Sequence, residues 1–164
     1  MEQTHVTVRR SRPADLDGFE TFVATLSIET STRRFFTPTN RLPRSSSRIL
    51  LVNDPKRGSF LAWDGDRVVA HGCWAAVSID SAELAVVVAD GAQRHGVGRR
   101  LTRTLLQDMY DAGIRQTEMV VEPENRPVID LIRRSWPDAR PRMEDGLLTF
   151  VTPTAAQEAS RAVA

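Results

Sequence analysis

The feature that most constrains this chain is an apolar strand that runs into a glycine- and arginine-rich turn and then into a long amphipathic helix. The longest purely apolar run is Leu84–Ala89, which is typical of a buried strand. After the turn, an apolar stripe at helical spacing ends at Gly113, a residue suited to close a helix. The stripe consists of Val97, Leu101, Leu105 and Met109. Such a pair of elements belongs to a fold in which helices pack on a sheet.

The rest of the chain repeats this layered pattern. Leu16, Phe19 and Val23 share one face of a predicted first helix. In the last predicted helix, the residues expected to face inward are Val128, Leu131 and Ile132. The patterns predict strands over residues 5–10, 59–63, 67–77, 82–89, 117–121 and 147–151, and helices over 13–27, 30–36, 45–51, 97–113 and 127–135.

These elements predict an α/β (α+β) fold with a mixed, mostly antiparallel central sheet flanked by helices, in the order β-α-α-β-β-β-α-β-α-β. The three strands between residues 59 and 89 follow one another through tight turns and are expected to be antiparallel. With 164 residues the chain has the length of one domain. We predict that domain over residues 1–152, with a flexible C-terminal tail over 153–164.

Composition argues against several classes of protein. Basic residues number 22 against 21 acidic ones, for a net charge of +1. This balance disfavours a nucleic-acid partner, even though all the basic residues except Lys56 are arginines. The start of the chain lacks the pattern of a secretory signal, and no apolar run approaches the ~20 residues of a membrane span. We therefore predict a cytoplasmic protein with no membrane partner. Cys73 is the only cysteine and the three histidines are scattered, which predicts no metal site.

The turn between the strand and the long helix is the segment that carries chemistry. Residues 89–100 hold three glycines and three arginines at the start of a helix. Glycine lets backbone N–H groups approach a ligand, and the first helical turn supplies unpaired donors and a favourable dipole. The natural guest of such a turn is a phosphate or pyrophosphate group.

Two familiar phosphate-binding motifs do not fit this turn. A P-loop requires Gly-Lys-Ser/Thr, whereas Gly96 is followed by Val97 and Gly98. A dinucleotide fingerprint requires a third glycine, and Leu101 occupies that position. Four predicted strands also precede the turn, whereas a Rossmann unit places this motif after its first strand.

The remaining pattern, Gln93-x-x-Gly96-x-Gly98, resembles the signature of the GNAT superfamily of acetyl-CoA-dependent N-acetyltransferases. The apolar strand before it, the amphipathic helix after it and Glu124-Asn125-Arg126-Pro127 agree with that resemblance, which covers roughly residues 6–151. The chain is most similar to the bacterial Pat-type protein-lysine acetyltransferases. That likeness rests on residues 26–30 with 34–36, on 82–83 with 86–90, and on 124–127.

The resemblance implies acetyl-CoA as the co-substrate and assigns its site. The strand backbone would bind the pantetheine arm, the amides of the turn would wrap the pyrophosphate, and a residue opening the next helix would contact the arm from the other side. The implied cofactor-binding residues are Val86, Val87, Val88, Gln93, Arg94, His95, Gly96, Val97, Gly98, Arg99 and Asn125. The side chains of Arg94, Arg99 or Arg100 either reach phosphates or are simply solvated.

The resemblance also implies Glu83 as the general base, with a solvated strand glutamate as the alternative and Glu122 as the second candidate. A base is useful because an amine with a pKa near ~10.4 is mostly protonated at neutral pH. The family's tyrosine acid is replaced by Ile132, and the single tyrosine, Tyr110, lies roughly 18 Å along the helix from Gly98. For His71 and Cys73 we favour core packing over a role in the site.

The sequence therefore predicts direct transfer of an acetyl group from acetyl-CoA to an amine, with no metal and no covalent enzyme intermediate. The acceptor is a protein lysine or a small amine, and the irregular segment over residues 29–52 is expected to shape its side of the site. A non-catalytic acyl-CoA-binding sensor is the rival from another class, consistent with Ile132. The sequence leaves the oligomeric state open.

Overall fold

The apolar strand lies in the interior of a seven-stranded sheet in the computed structural model, which describes residues 6–154. The strands are β1 (Val6–Arg10), β2 (Arg57–Asp64), β3 (Arg67–Ala76), β4 (Ser81–Val88), β5 (Gln116–Val121), β6 (Arg142–Glu144) and β7 (Leu147–Pro153). The α-helices are α1 (Leu16–Thr25), α2 (Ile28–Phe35), α3 (Arg44–Leu50), α4 (Val97–Asp111) and α5 (Arg126–Ser135). One-turn 3₁₀ helices over Pro13–Asp15 and Asp90–Ala92 lead into α1 and towards α4.

The strand order is β1-β2-β3-β4-β5-β7-β6, and every neighbouring pair is antiparallel except β4 and β5. The predicted fold class is therefore confirmed, as is the antiparallel run of three strands. The β4–β5 pair is parallel because α4 crosses over between the two strands, the connection that parallel neighbours require.

Helices cover both faces of the sheet. Leu101, Leu105 and Met109 of α4 are fully buried against one face, and Phe19 and Val23 of α1 lie in the core on the other. Each such side chain contributes about 1.5–3 kcal/mol by leaving water. The predicted stripes of both helices are thus confirmed.

One glycine sets how closely α4 approaches the sheet. A Cβ atom at Gly72 of β3 would lie 2.4 Å from Leu105 Cδ1, so only glycine leaves room for that leucine. The helix ends as predicted, because Gly113 adopts a φ of 91° and its N–H donates to the Tyr110 C=O.

The structure corrects several element predictions. The predicted element order allowed two helices between the first two strands, but all three helices predicted over residues 13–27, 30–36 and 45–51 are present, as α1, α2 and α3. The short strand β6 was not predicted; it pairs with β7 through a turn at Asp145 and Gly146, both with positive φ. Asp-Gly is a strong signal for such a hairpin, but the three residues of β6 are all exposed and show no apolar alternation.

The inward face of α5 was predicted only in part, because Ile132 faces the core as predicted whereas Val128 and Leu131 do not. Ile132 is buried with Ile129 against Phe150, while Val128 is 37% exposed and Leu131 49% exposed. The sheet meets α5 along a stripe one position away from the predicted one.

The predicted C-terminal tail begins too early. Pro153 is the last residue of β7, and the Thr154 N–H donates to the Arg115 C=O. The Thr154 and Thr117 hydroxyl groups lie 2.6 Å apart in a buried hydrogen bond, so both tail residues belong to the packed sheet. The rest of that tail, residues 155–164, and residue 5 of the first predicted strand lie outside the described residues.

Within residues 6–154, no helix combines the length and the apolar character needed to cross a bilayer. The cytoplasmic location stays a prediction.

Candidate active site

A gap opens in the sheet where β4 and β5 part. The two strands pair at only three positions, of which Glu83 opposite Glu118 is the last, although β4 continues to Val88. Beyond this point no strand covers that side of β4. The fourth and fifth strands therefore diverge after Glu83.

The ladder register decides which backbone groups of β4 face this gap. The Ala89 N–H donates to the Val69 C=O across the β3–β4 ladder, and successive residues of an antiparallel ladder turn alternately towards and away from the partner strand. Val87 therefore directs its N–H and C=O towards β3. Val86 and Val88 direct theirs into the gap, where an extended ligand can add like a strand.

The turn after β4 ends in a helix start that is rich in free donors. Gly96 caps α4 with a φ of 79° and no side-chain hydrogen bond, and the first helical bond runs from the Arg100 N–H to the Gly96 C=O. The amides of the residues between them have no acceptor in the described part of the chain. These residues are Val97, Gly98 and Arg99. An anion suits this position, because the donors converge at the positive end of the helix dipole.

Two further details bring the helix start close to the gap. A Cβ atom at Gly98 would lie 3.2 Å from Val88 Cγ2, so glycine permits the tight approach of α4 to β4. Arg94 has a φ of 63°, a left-handed conformation that is uncommon outside glycine and that turns the chain towards Gly96.

The side chains of this turn have different surroundings. Gln93 Nε2 donates to the Val88 C=O over 3.1 Å, which fastens the turn to the end of β4. Arg94, His95 and Arg99 are exposed, with no partner within the described residues. Arg100, by contrast, donates to the Val6 C=O of β1 and faces away from the turn. Of the three arginines considered for phosphates, only Arg94 and Arg99 are free to meet one.

Helix α2 is fastened to the same turn through Asp90. The Asp90 carboxylate accepts hydrogen bonds from the Ser27 N–H, the Ser27 hydroxyl and the Thr30 hydroxyl at 2.8–3.0 Å. Burial alone raises the pKa of Asp90, but these hydrogen bonds outweigh it and the net shift is downward. The network holds α2 beside the cleft.

Asn125 lies on the other side of the gap, at the start of α5. It is 9% exposed; its N–H donates to the Glu122 C=O and its own C=O accepts from Ile129. Its carboxamide makes no hydrogen bond with another described residue. Its role in holding a cofactor stays a prediction.

Glu83 is exposed on the face of the sheet opposite α4. Glu118, its register partner on β5, is half-buried beside it, so two carboxylates meet where the strands part. The sequence prediction missed Glu118, because only the β4–β5 register shows that the two residues are neighbours. Glu122, the second predicted base, follows the end of β5.

An arginine from α2 reaches into the same face. Arg34 Nη2 donates to Cys73 Sγ over 3.4 Å, and the guanidinium lies 5.0 Å from the centre of the Phe35 ring. Burial raises the pKa of the Cys73 thiol; the nearby charge of Arg34 lowers it and that of Glu83 raises it. Arg34 and Glu83 therefore act on one sulfur atom.

His71 packs in the core, as favoured. It is fully buried, its Nε2 lies 3.1 Å from the Leu50 carbonyl oxygen, and its ring meets Phe19 edge-on at 4.8 Å. Burial, aided by the charge of Arg34, lowers the pKa of His71 to about 3. The imidazole is therefore neutral at physiological pH and carries no charge into the site.

Neither Ile132 nor Tyr110 is placed to supply an acid to the site. Ile132 is 3% exposed and packs in the α5 core. Tyr110 lies near the C-terminal end of α4, where Arg115 stacks on its ring at 4.2 Å. Within residues 6–154, no group of three or more histidine, cysteine or acidic side chains is arranged to hold a metal ion.

Comparison with known proteins identifies the class to which this fold and cleft belong. The Acetyltransferase (GNAT) family matches residues 23–136, a segment that contains the parting strands, the turn and α4. The chain belongs to this family of acetyltransferases, whose acetyl donor is acetyl-CoA.

Solved structures with the same fold agree. The GNAT domain of S. lividans PAT superposes with a TM-score of 0.82 at 23% identity, over 90% of each chain. The acetyltransferase yncA from Salmonella typhimurium, solved with its cofactor acetyl-CoA, gives a TM-score of 0.69 at 14% identity over 92% of this chain and 95% of that one.

A relative by sequence is the mycothiol acetyltransferase of Catenulispora acidiphila. The two sequences are 36% identical over an alignment of 84 residues, and the match covers 46% of this chain and 26% of that protein. The match thus spans about a quarter of the relative's length.

Proposed function

We propose that this protein transfers an acetyl group from acetyl-CoA directly to the nitrogen of an amine. The observation that carries the proposal is the uncovered side of β4, where the backbone of Val86 and Val88 faces a gap that ends at the donor-rich start of α4. A flexible arm that ends in a pyrophosphate is the ligand that uses both features at once.

In this proposal the two parts of the site hold the two parts of acetyl-CoA. Val86 and Val88 bind the pantetheine arm through their backbone, while Val87 contributes only its packing, since its backbone is engaged with β3. The amides of residues 97–99 bind the pyrophosphate. Gln93 keeps the turn in place rather than contacting phosphate with its side chain, and Asn125 binds the arm from the α5 side.

Acetyl-CoA supplies an activated acetyl group as a thioester. The acceptor nitrogen forms a bond to the carbonyl carbon and the carbon–sulfur bond breaks. Glu83 accepts the proton that the ammonium must lose, directly or through a water molecule, and its exposure lets it return that proton to solvent.

The leaving sulfur needs no acid from the protein. A thiol has a pKa near ~8.5, so the thiolate is a tolerable leaving group and water can protonate it. This accounts for a site in which Ile132 lies in the core of α5.

The nature of the amine is the finer part of the proposal. Similarity to the Pat-type enzymes favours a protein lysine, and the small-amine alternative places the acceptor in the space between α2, α3 and the sheet. The base and the cofactor site are common to both.

The experiment is to incubate the protein with acetyl-CoA and a panel of lysine peptides, polyamines and amino acids while following the release of free thiol. We expect release above the uncatalysed rate with at least one acceptor, and an acetylated product in equal amount. Binding of acetyl-CoA without thiol release for any acceptor would instead support a non-catalytic acyl-CoA sensor.

A further inference from the structure

Arg34 is a cation without an anionic partner beside the proposed base. Its neighbour Arg33 pairs with Glu29 at 2.6 Å, but no carboxylate in residues 6–154 lies within 4.0 Å of the Arg34 guanidinium. Its hydrogen-bond partner is the Cys73 thiol, a weak acceptor. A guanidinium carries five donors arranged to bind a carboxylate or phosphate.

Other polar atoms around Arg34 are also left unsatisfied. Arg34 Nε is buried without a hydrogen-bond partner, and so are Ser31 Oγ, one helical turn earlier on α2, and Nδ1 of His71. Cys73, which Arg34 contacts, lies two residues from His71 on the same face of β3, and this places Arg34 and His71 near each other. Buried polar groups are rarely left unpaired. Several together indicate a place for a polar ligand.

The sheet register places Cys73, the hydrogen-bond partner of Arg34, near the proposed base. Cys73 pairs with Ala85 and Ala75 pairs with Glu83, so Cys73 and Glu83 are diagonal neighbours on one face. Diagonal neighbours lie roughly 7–8 Å apart. An amine with a carboxylate two or three bonds away spans this interval when each end makes a charge-assisted hydrogen bond of about 2.8 Å.

We infer that Arg34 binds the carboxylate of a small amino acid acceptor whose amine faces Glu83. The inference rests on the proposed acetyl transfer and narrows its substrate. A protein lysine fits this arrangement less well, because its side chain carries no carboxylate beside the ammonium that could pair with Arg34. The carboxylate also supplies partners for the donors that α2 leaves open.

The test compares matched acceptors. The wild-type protein is assayed for thiol release with a set of amino acids, with the corresponding amino acid amides, and with lysine peptides. We expect kcat/KM for the best amino acid to exceed that for its amide by roughly 30-fold, as for the loss of one or two hydrogen bonds to a charged group. Equal values for acid and amide would overturn the inference while leaving acetyl transfer intact.

Variants locate the effect. Arg34→Met is expected to abolish the preference for the acid over the amide, while Arg34→Lys retains part of that preference. Arg33→Met is the control, because it removes a half-buried arginine one position away that already pairs with Glu29, and it should preserve the ratio. If the preference for the acid over the amide persists undiminished in folded Arg34→Met and Arg34→Lys, another group binds the carboxylate and the inference is refuted.

The outcomes separate the two proposals. Turnover of lysine peptides with no gain from a carboxylate rejects only the role of Arg34. Acetyl-CoA binding without turnover of any acceptor rejects the transfer itself and this inference with it. Equal values for the acid and the amide in the wild-type protein overturn the inference without any variant, so the inference stays falsifiable even if a variant fails to fold.

Discussion

Replacing Gly96 by aspartate introduces a negative charge where the pyrophosphate is proposed to bind. Gly96 has a φ of 79°, and no atom lies within 4 Å of an added Cβ, so the side chain enters open space. A residue other than glycine in this conformation costs roughly 1–2 kcal/mol of stability. Gly96→Asn is the matched control, because asparagine has nearly the same shape, tolerates the same backbone and carries no charge.

The difference in affinity for acetyl-CoA between Gly96→Asp and Gly96→Asn isolates the effect of the negative charge. A carboxylate about 5 Å from two phosphate charges is repelled by about 2 kcal/mol at the dielectric constant of water, and by more in a partly buried site. This corresponds to roughly 30-fold weaker binding of acetyl-CoA. Isothermal titration calorimetry measures Kd for both variants, and thermal melting without ligand confirms that both fold equally well.

Ionic strength provides a second check on this reasoning. The difference in Kd for acetyl-CoA between Gly96→Asp and Gly96→Asn should decrease as the salt concentration is raised, because screening weakens the repulsion. If both variants bind acetyl-CoA with the same Kd at low salt, the pyrophosphate does not lie at the start of α4.

Two further predictions concern single carboxylates. Glu83→Gln should lower kcat by about 10²-fold or more with little change in Kd for acetyl-CoA; an unchanged rate at saturating acceptor would move the role to Glu118, Glu122 or water. Asp90→Asn should cost about 1 kcal/mol of stability near neutral pH, a small value because the group is exposed. Since folding lowers the pKa of Asp90, its contribution is complete above its unfolded pKa of ~3.9 and is lost as pH falls through the lower folded value. Denaturation of both proteins across pH 2–7 checks this, and a constant difference would contradict it.

Local patterns were enough to predict the elements that bury one continuous apolar face. The stripe through Leu101 and Leu105 is long and regular, and it identified α4 and the strand before it. By contrast, β6 is three exposed residues long, so its pairing depends on the neighbouring strand. The inward face of α5 depends on how that short helix meets Phe150, which its own periodicity does not determine.

The cofactor half of the site was predictable because it is built from consecutive residues. The turn around Gly96 and the strand before it contain nearly all of the proposed contacts. In the acceptor half, the resemblance implied Glu83, but Arg34 and Glu118 were not predicted, because α2 and the parting strands bring these residues together from distant parts of the chain. The sequence contained Arg34 within a segment similar to Pat-type enzymes, but only the fold shows that its charge is unpaired.

Backbone amide hydrogen exchange followed by NMR tests, residue by residue, whether acetyl-CoA binds along the open side of β4 and at the start of α4. On adding acetyl-CoA, we expect slower exchange for the amides of Val86, Val88 and residues 97–99. The amide of Val87, already bonded to β3, should change little and serves as the internal control. If Val86 and Val88 gain no protection, or if protection appears only elsewhere in the chain, acetyl-CoA does not bind along β4.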